Sequence, residues 1–328
     1  MRRNERDGEA GPMMKRPLAT LLLMLLLAAP ARAAQCGGDF NGFLSAMPRD
    51  AQAAGLPRAI IDQAFAGVTI DPAVLAFDRR QHGTFRMSFE RYAATRVTEA
   101  RPRRARVLMA RHATLLVRVE RQFGVPTSLL MAIWTMESDN GTGDMGRQPV
   151  IRTVATLAHD CRRSELFQSE LIAALHILAR GDLSLRDLVG AYAGEIGQTQ
   201  FLPSSYIKYG VDFDGDGRVD LRHSVADVLA STANLLKVNG WRAGAPFDPG
   251  TGNFEVMREW NHAEIYRRAL VCSRRGSRRH SERLDGLQVD LRATNSAGRA
   301  TGATQPQNVR RSHLGRRQFA ERNVRFGS

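Results

Sequence analysis

Between residues 37 and 270 the chain alternates apolar and polar positions with the period of a helix rather than that of a strand. In "LPRAIIDQAF" (residues 56–65) and "RARVLMARHATLLVRVERQFG" (104–124), apolar side chains recur three and four residues apart with charges between them. That spacing predicts amphipathic helices. "LFQSELIAALHILARG" predicts another, ended by Gly181, and "SVADVLASTANLLKVNGW" a further one, capped by Ser224 and closed by Gly240. His176, inside the former, reads as a packed or surface histidine rather than a ligand. Strand signals are few and short, and nothing repeats at a fixed period. The fold class expected is mainly α.

One helix carries an acid on its apolar face. Pro126, Thr127 and Ser128 start it, Asp139, Asn140 and Gly141 stop it, and Glu137 follows Leu130, Ile133 and Trp134 at seven, four and three residues. Glu137 therefore shares the face of the apolar residues in the last turn, beside a loop. A carboxyl half removed from water is harder to ionise, and an acid that holds its proton at neutral pH suits general acid catalysis. The alternative is a helix-end glutamate bonded to a neighbouring amide or arginine.

Composition alters this picture mainly at the two ends. The net charge of +14 suggests a nucleic-acid binder, but its distribution does not. From Leu270 onward there are thirteen arginines, no lysine and four acids, and residues 1–33 carry six basic and three acidic side chains. The body between them is close to neutral, so it offers no basic groove. Residues 1–33 end in "MKRPLATLLLMLLLAAPARA", with basic residues, an apolar run from Leu18 to Ala29, and the small-x-small ending Ala31-Arg32-Ala33. This is the pattern of an export signal, too short for a transmembrane anchor. Residues 270–328 lose apolar periodicity, and disorder is expected there. In an oxidising compartment the isolated Cys36 and Cys161 are expected to form a disulfide.

Two further stretches carry chemistry. "GAYAGEIGQTQFLPSSYIKYG" (190–210) sets amides at Gln198 and Gln200 among glycines and aromatic residues, a strip able to line a polar groove. "DFDGDGRVD" (212–220) follows the calcium-loop template, with Asp212, Asp214, Asp216, a backbone carbonyl from Arg218, and Asp220 as ligands and Gly217 at the turn. His223 stands at the twelfth place, where the template has a bidentate glutamate, and imidazole is a poor partner for hard calcium.

"AIWTMES", "RTVATLAHDCRRSELF", "GEIGQTQFLPSSY", "VDFDGDGRVDL", "DVLASTANLLKVNGW" and "MREWNHAEIY" occur in one order over residues 37–269. With them the chain resembles the lytic murein transglycosylases of the membrane-bound B type, glycoside hydrolase family 103. The resemblance implies a lysozyme-like, α+β but largely helical catalytic domain over 37–269 with an EF-hand-like loop insertion, after a signal peptide at 1–33. It aligns Glu137 with the single catalytic glutamate and places Arg162, Arg163, Gln200, Trp260 and Asn261 in the glycan groove. It further implies cleavage of the bond between N-acetylmuramic acid and N-acetylglucosamine, with a 1,6-anhydro end left behind. No cofactor is needed for that chemistry, and structural calcium is the metal suggested. Peptidoglycan strands are the partner expected, along with envelope machinery, in the periplasm of a Gram-negative-type cell. The chain departs from the family at Ala191, where serine is common, at Asn140, where an aromatic residue is common, and in the arginine-rich end.

Two other functions fit the same residues. A lysozyme-type hydrolase needs a second carboxylate, for which Asp139 and Asp144 are the near candidates in sequence. A non-catalytic peptidoglycan-binding scaffold would keep the groove without turnover.

Overall fold

Asp39 starts the first described helix by accepting the Gly42 amide on its side chain at 2.7 Å, and Phe43, Met47 and Ala51 on that helix face inward. The structure, a computed structural model, describes residues 34–80, 88–96 and 100–273. The export signal expected at 1–33 and the tail beyond residue 273 lie outside the described residues.

Helices α1 (Phe40–Ala53), α2 (Arg58–Phe65), α3 (Pro72–Arg79), α4 (Phe89–Arg96), α5 (Ala100–Arg111), α6 (Ala113–Phe123) and α7 (Thr127–Ser138) form the first half. The second half contains α8 (Val150–His159), α9 (Ser164–Arg180), α10 (Pro203–Tyr209), α11 (Val225–Val238) and α12 (Gly252–Val256), and ends with α13 over residues 264–273. The only sheet among the described residues is a pair of two-residue strands, β1 (Gln148–Pro149) and β2 (Val189–Gly190), antiparallel with Gln148 opposite Gly190. The fold is thus mainly helical, as the periodicity predicts.

Caps fix where the helices begin and end. Pro72 sits at the first position of α3, and Asp71 accepts the Ala73 and Val74 amides at 3.0 and 3.3 Å. Ser224 accepts the Asp227 amide at the start of α11, and Gly181 closes α9 in the left-handed conformation. The expected single helix over 104–124 is two, α5 and α6, with an irregular step at His112.

Helix α7 is the central element, with Leu129, Leu130, Met131, Ala132, Ile133, Trp134, Thr135 and Ser138 all buried. Each large apolar side chain so buried stabilises the fold by about 1.5–3 kcal/mol, so the backbone that carries Glu137 is among the best anchored in the chain. Around α7 pack α5, α6 and α11, and α8 lies along α9. A Cys36–Cys161 disulfide joins the start of the described chain to the loop between α8 and α9. It closes a loop spanning 125 residues, which in the chain-entropy account is worth about 4–5 kcal/mol. Helix α13 runs on to residue 273, and Leu270 and Val271 are buried. Among the described residues no helix is long and apolar enough to cross a membrane.

Candidate functional site

Helix α7 is buried on every side from Leu129 to Thr135 rather than on one apolar face, and Glu137 sits half-buried in its last turn. Its Oε1 accepts two hydrogen bonds, one from the Tyr266 hydroxyl at 2.7 Å and one from the Trp260 indole N–H at 3.2 Å. Both donors are buried, and both come from a segment more than 120 residues away in the chain. Phe201 meets the Trp260 ring edge-on at 5.4 Å between centroids. The carboxyl is thereby fixed between the end of a core helix and a wall of three aromatic side chains.

The turn after Glu137 is equally constrained. Asp139, Asn140 and Gly141 all have positive φ, at 50°, 60° and 76°. The Asn140 and Asp139 amides return to the Trp134 and Thr135 carbonyls, which satisfies the helix end. The Asn140 side-chain amide donates to Thr135 Oγ1 at 3.0 Å, and that hydroxyl donates to the Met131 carbonyl at 2.6 Å. Asn140 thus tolerates the left-handed backbone and pins the turn to the helix.

Gln198 holds the same region from the other side. Its Oε1 accepts the Trp134 indole N–H at 2.8 Å, and its Nε2 donates to the Arg222 carbonyl at 2.8 Å. A Cβ at Gly141 would lie 2.3 Å from Gln198 Oε1, so no larger residue fits there without displacing it. The sequence suggests that this amide lines a groove. Instead it ties α7 to the backbone beyond the acidic loop. The Gln200 backbone has φ of 56°, and its Nε2 donates to the Gly197 and Met145 carbonyls at 2.8 and 3.3 Å. Asn261 is buried beside Trp260, and its Oδ1 accepts the Ala263 amide at 2.9 Å.

Arg162 and Arg163 form a second cluster. Both guanidinium groups pair with Asp78 on α3, Arg162 also pairs with Asp160 at 2.9 Å, and Arg163 lies over the Phe167 ring at 5.0 Å. Hydrogen bonding to Asp160 keeps the Arg162 pKa raised. This cluster meets the 190–210 strip where Phe77 stacks on Tyr192 at 4.1 Å. The two near carboxylates are turned to other tasks. Asp139 faces Arg104 at 3.8 Å, and Asp144 accepts the Gly146 amide at 3.0 Å.

The acidic loop differs from its template. Carboxylate oxygens of Asp212, Asp214 and Asp227 lie within 4.8 Å of one another and could hold a metal ion. Asp216 and Asp220 are not in that group. Asp216 faces Arg218 at 3.3 Å, and Asp220 accepts the Arg222 and His223 amides and pairs with His223 Nδ1 at 2.9 Å. Asp227, on the first turn of α11, stands in that group with Asp212 and Asp214, a position the template spacing does not include. It lies beyond the twelfth template place, where the sequence reads only as a helix start. Burial raises the Asp227 pKa, and the nearby Asp214 adds to the effect. Three convergent carboxylates, one of them hard to ionise when alone, fit a hard divalent cation.

Tyr266 is the other residue the sequence did not single out. It is one of only five tyrosines in the chain and falls six residues after Trp260. Those facts are compatible with a site role but do not reveal its partner.

Fold and site together define a helical domain built around one half-buried acid. A family model described as the transglycosylase SLT domain matches residues 39–251. The chain belongs to that family. Membrane-bound lytic murein transglycosylase B of Escherichia coli (strain K12) is 39% identical over 124 residues, 37% of this chain and 34% of that protein. The chain thus spans about a third of the length of this curated relative. SltB3 from Pseudomonas aeruginosa, solved with NAG-NAM-pentapeptide and with NAG-anhNAM-pentapeptide, is similar with a TM-score of 0.69 and 31% identity in the former complex. That match covers 74% of this chain and 80% of that one. The Escherichia coli lytic transglycosylase Slt35, solved in complex with calcium, shares the fold at a TM-score of 0.64 and 23% identity, over 75% of this chain and 96% of that one.

Proposed function

We propose that this chain is a peptidoglycan lytic transglycosylase, with Glu137 as both general acid and general base. The observation that carries the reading is the setting of Glu137. Its Oε1 is occupied by the Tyr266 and Trp260 donors, while Asp139 and Asp144 are engaged with Arg104 and a backbone amide. Two donors on Oε1 make it the carbonyl-like oxygen of the acid and put the transferable proton on Oε2. That proton passes to the glycosidic oxygen as the bond from C1 of N-acetylmuramic acid breaks. The carboxylate then takes the proton of the sugar's own C6 hydroxyl, whose oxygen closes on C1 as a 1,6-anhydro ring. Glu137 ends protonated again, and no water is consumed. One carboxyl suffices because the nucleophile belongs to the substrate, whereas glycosidases of the usual two-carboxylate kind need a partner.

Gln200, Trp260 and Asn261 would line the groove beside Glu137, and Arg162 and Arg163 would meet the anionic parts of the strand. The ligands named for SltB3, a disaccharide-pentapeptide and its anhydro form, support peptidoglycan as the substrate. The name of the Escherichia coli relative supports an envelope location, with export by residues 1–33. The catalytic domain would comprise residues 37–269. Asp212, Asp214 and Asp227 would hold calcium, which braces the loop and takes no part in the proton transfers.

Digestion of purified sacculi, with products weighed by mass spectrometry, tests the reading. Wild type is expected to release muropeptides one water lighter than hydrolytic products, and Glu137→Gln to release almost none. Reducing-end products from wild type would give the case to a hydrolase, and retained sacculus binding without any release to a scaffold.

A further inference from the structure

Residues 34–38 form a strap that several bonds hold to the body of the fold. The Cys36–Cys161 disulfide ties it to the loop after α8, the Gly37 amide donates to the His159 carbonyl at 2.9 Å, and His159 Nε2 lies 3.2 Å from the Gly38 carbonyl oxygen. Ala34, its first residue, is held as firmly as the rest. It is buried, its carbonyl accepts the Gln168 side-chain amide from α9 at 2.8 Å, and its nitrogen donates to Asp50 Oδ2 at 3.1 Å.

Asp50 stands in the last turn of α1, which has no basic residue in that turn. The carbonyl end of a helix carries partial negative charge, so a carboxylate there is disfavoured unless a cation meets it. Arg49 reaches Asp50 Oδ1 at 3.4 Å, but its side chain is 64% exposed, and an ion pair so open to water contributes little. Asp50 itself is 20% exposed, with its other oxygen turned to the Ala34 nitrogen. That nitrogen is the one the sequence marks. In Ala31-Arg32-Ala33 the small residues stand first and third before the Ala33–Ala34 bond, as signal peptidase requires.

We propose that the mature chain begins at Ala34 and that its new α-ammonium group pairs with Asp50. Hydrolysis by a signal peptidase breaks the C–N bond between Ala33 and Ala34. Water gives its oxygen to the Ala33 carbonyl carbon and its two protons to the Ala34 nitrogen, which leaves a carboxylate on the released signal and an ammonium on the chain. The cut precedes docking, because a buried residue whose nitrogen and carbonyl are both bonded within the fold cannot enter a peptidase. An ammonium binds a carboxylate more strongly than a neutral amide N–H does, so removal of the signal strengthens the folded chain. Through the strap and the disulfide, the same pair steadies the loop that carries Arg162 and Arg163. The charged side chains at the site are Asp50 and Arg49 from α1, while α9 brings the uncharged Gln168, and His159 lies against Gly38. The proposal rests on residues 1–33 being a cleaved export signal and is independent of the glycan chemistry.

The full chain, exported by a Gram-negative host, supplies the protein for the test, and its intact mass gives the first residue, expected to be Ala34. A second full chain carries Gly-Ser inserted after Ala33, so that its mature product has an amide, not an ammonium, at the Ala34 nitrogen. Asp50→Asn should lower the melting temperature by about 2–4 °C in the chain that begins at Ala34, and by less than half as much in the inserted chain. Acylation of the terminal amine at pH 7 reads the pair more directly, because the neutral amine is the reactive form and an ion pair that holds the proton lowers its fraction. The Ala34 amine is expected to react at least about tenfold more slowly in wild type than in Asp50→Asn, and the inserted chain to react equally with and without that substitution. A product that keeps residues 1–33 would overturn the export reading as well as the pair, and one that begins at Cys36 would overturn the cleavage position. A product that begins at Ala34 but loses as much to Asp50→Asn with the insertion as without it, or acylates at one rate in both, would overturn the ion pair alone.

Discussion

Two regions of this protein hold carboxyl groups in fixed settings, and they do it by opposite routes. Around Glu137 the chain closes a contact between residues 123 and 129 positions apart, so that one carboxyl meets an indole and a phenol. The acidic loop is built almost wholly within one stretch, with Asp212 accepting the Gly215 and Gly217 amides and Asp214 accepting the Asp216 amide. The long-range construction gives a single acid with fixed hydrogen-bond donors. The local one gives convergent carboxylates that repel each other until a cation is added. Gln198 joins the two, with one end on Trp134 and the other on Arg222.

The sharpest test is to remove one acid from each region. Glu137→Gln keeps the shape of the carboxyl and its acceptor oxygen but removes the transferable proton. Turnover should fall about a hundredfold to ten-thousandfold while sacculus binding and melting temperature stay close to wild type. Asp139→Asn should cost far less, because Asp139 faces Arg104. Comparable losses in the two variants, read as anhydro-muropeptide release per minute, would mean that a second carboxylate takes part.

The acidic loop should respond to metal instead. At a calcium concentration one hundred times its Kd the native state gains about 2.7 kcal/mol, which for a domain of this size raises the melting temperature by roughly 5–10 °C. Asp214→Ala and Asp227→Asn should abolish that rise, whereas Asp216→Asn should keep most of it. Loss of the calcium shift in Asp216→Asn with retention in Asp227→Asn would restore the template ligand set.

That contrast also shows how far the sequence could be read. Helix periods, the cap at Ser224 and the closing Gly181 are local properties, and they were legible because helical hydrogen bonds and capping span only a few residues. Glu137 was legible for the same reason, from its place in the last turn of an apolar helix. Tyr266 was not, since its bond to Glu137 depends on how α13 returns to α7, and no spacing encodes that. The loop shows the reverse limit. Its template spacing is local and complete enough to suggest ligands, yet the carboxylate that converges with Asp212 and Asp214 is that of Asp227, on the next helix.

The long-range half of the comparison can be weakened by one atom. Tyr266→Phe removes the O–H that donates to Glu137 Oε1 and leaves the ring and the Trp260 donor in place. A hydrogen bond to an ionisable group is worth about 1.5–3 kcal/mol, so kcat should fall at least about tenfold. KM should change little, because the lost contact is to the enzyme's own acid rather than to the glycan. A rise in KM with unchanged kcat would instead make Tyr266 a substrate contact.

The smallest effect concerns a third acid, which belongs to neither region. Glu170 is buried on α9, where it accepts the Ser204 amide at 2.8 Å and the Ser204 hydroxyl at 2.6 Å. Burial is the largest influence and raises its pKa above the ordinary 4.5, the Ser204 bonds pull it back, and Glu195 adds to the rise. Ionisation is therefore harder in the folded chain than in the unfolded one. The resulting stability is fully present below the unfolded pKa and is lost as pH rises through the folded value. Glu170→Gln cannot ionise, so it escapes that loss, although its amide reproduces the two acceptors only in part. Melting curves from pH 4 to pH 8 should show wild type losing ground to Glu170→Gln as pH rises, by a few degrees at most. A difference that stays constant with pH would mean that Glu170 holds the same charge in both states.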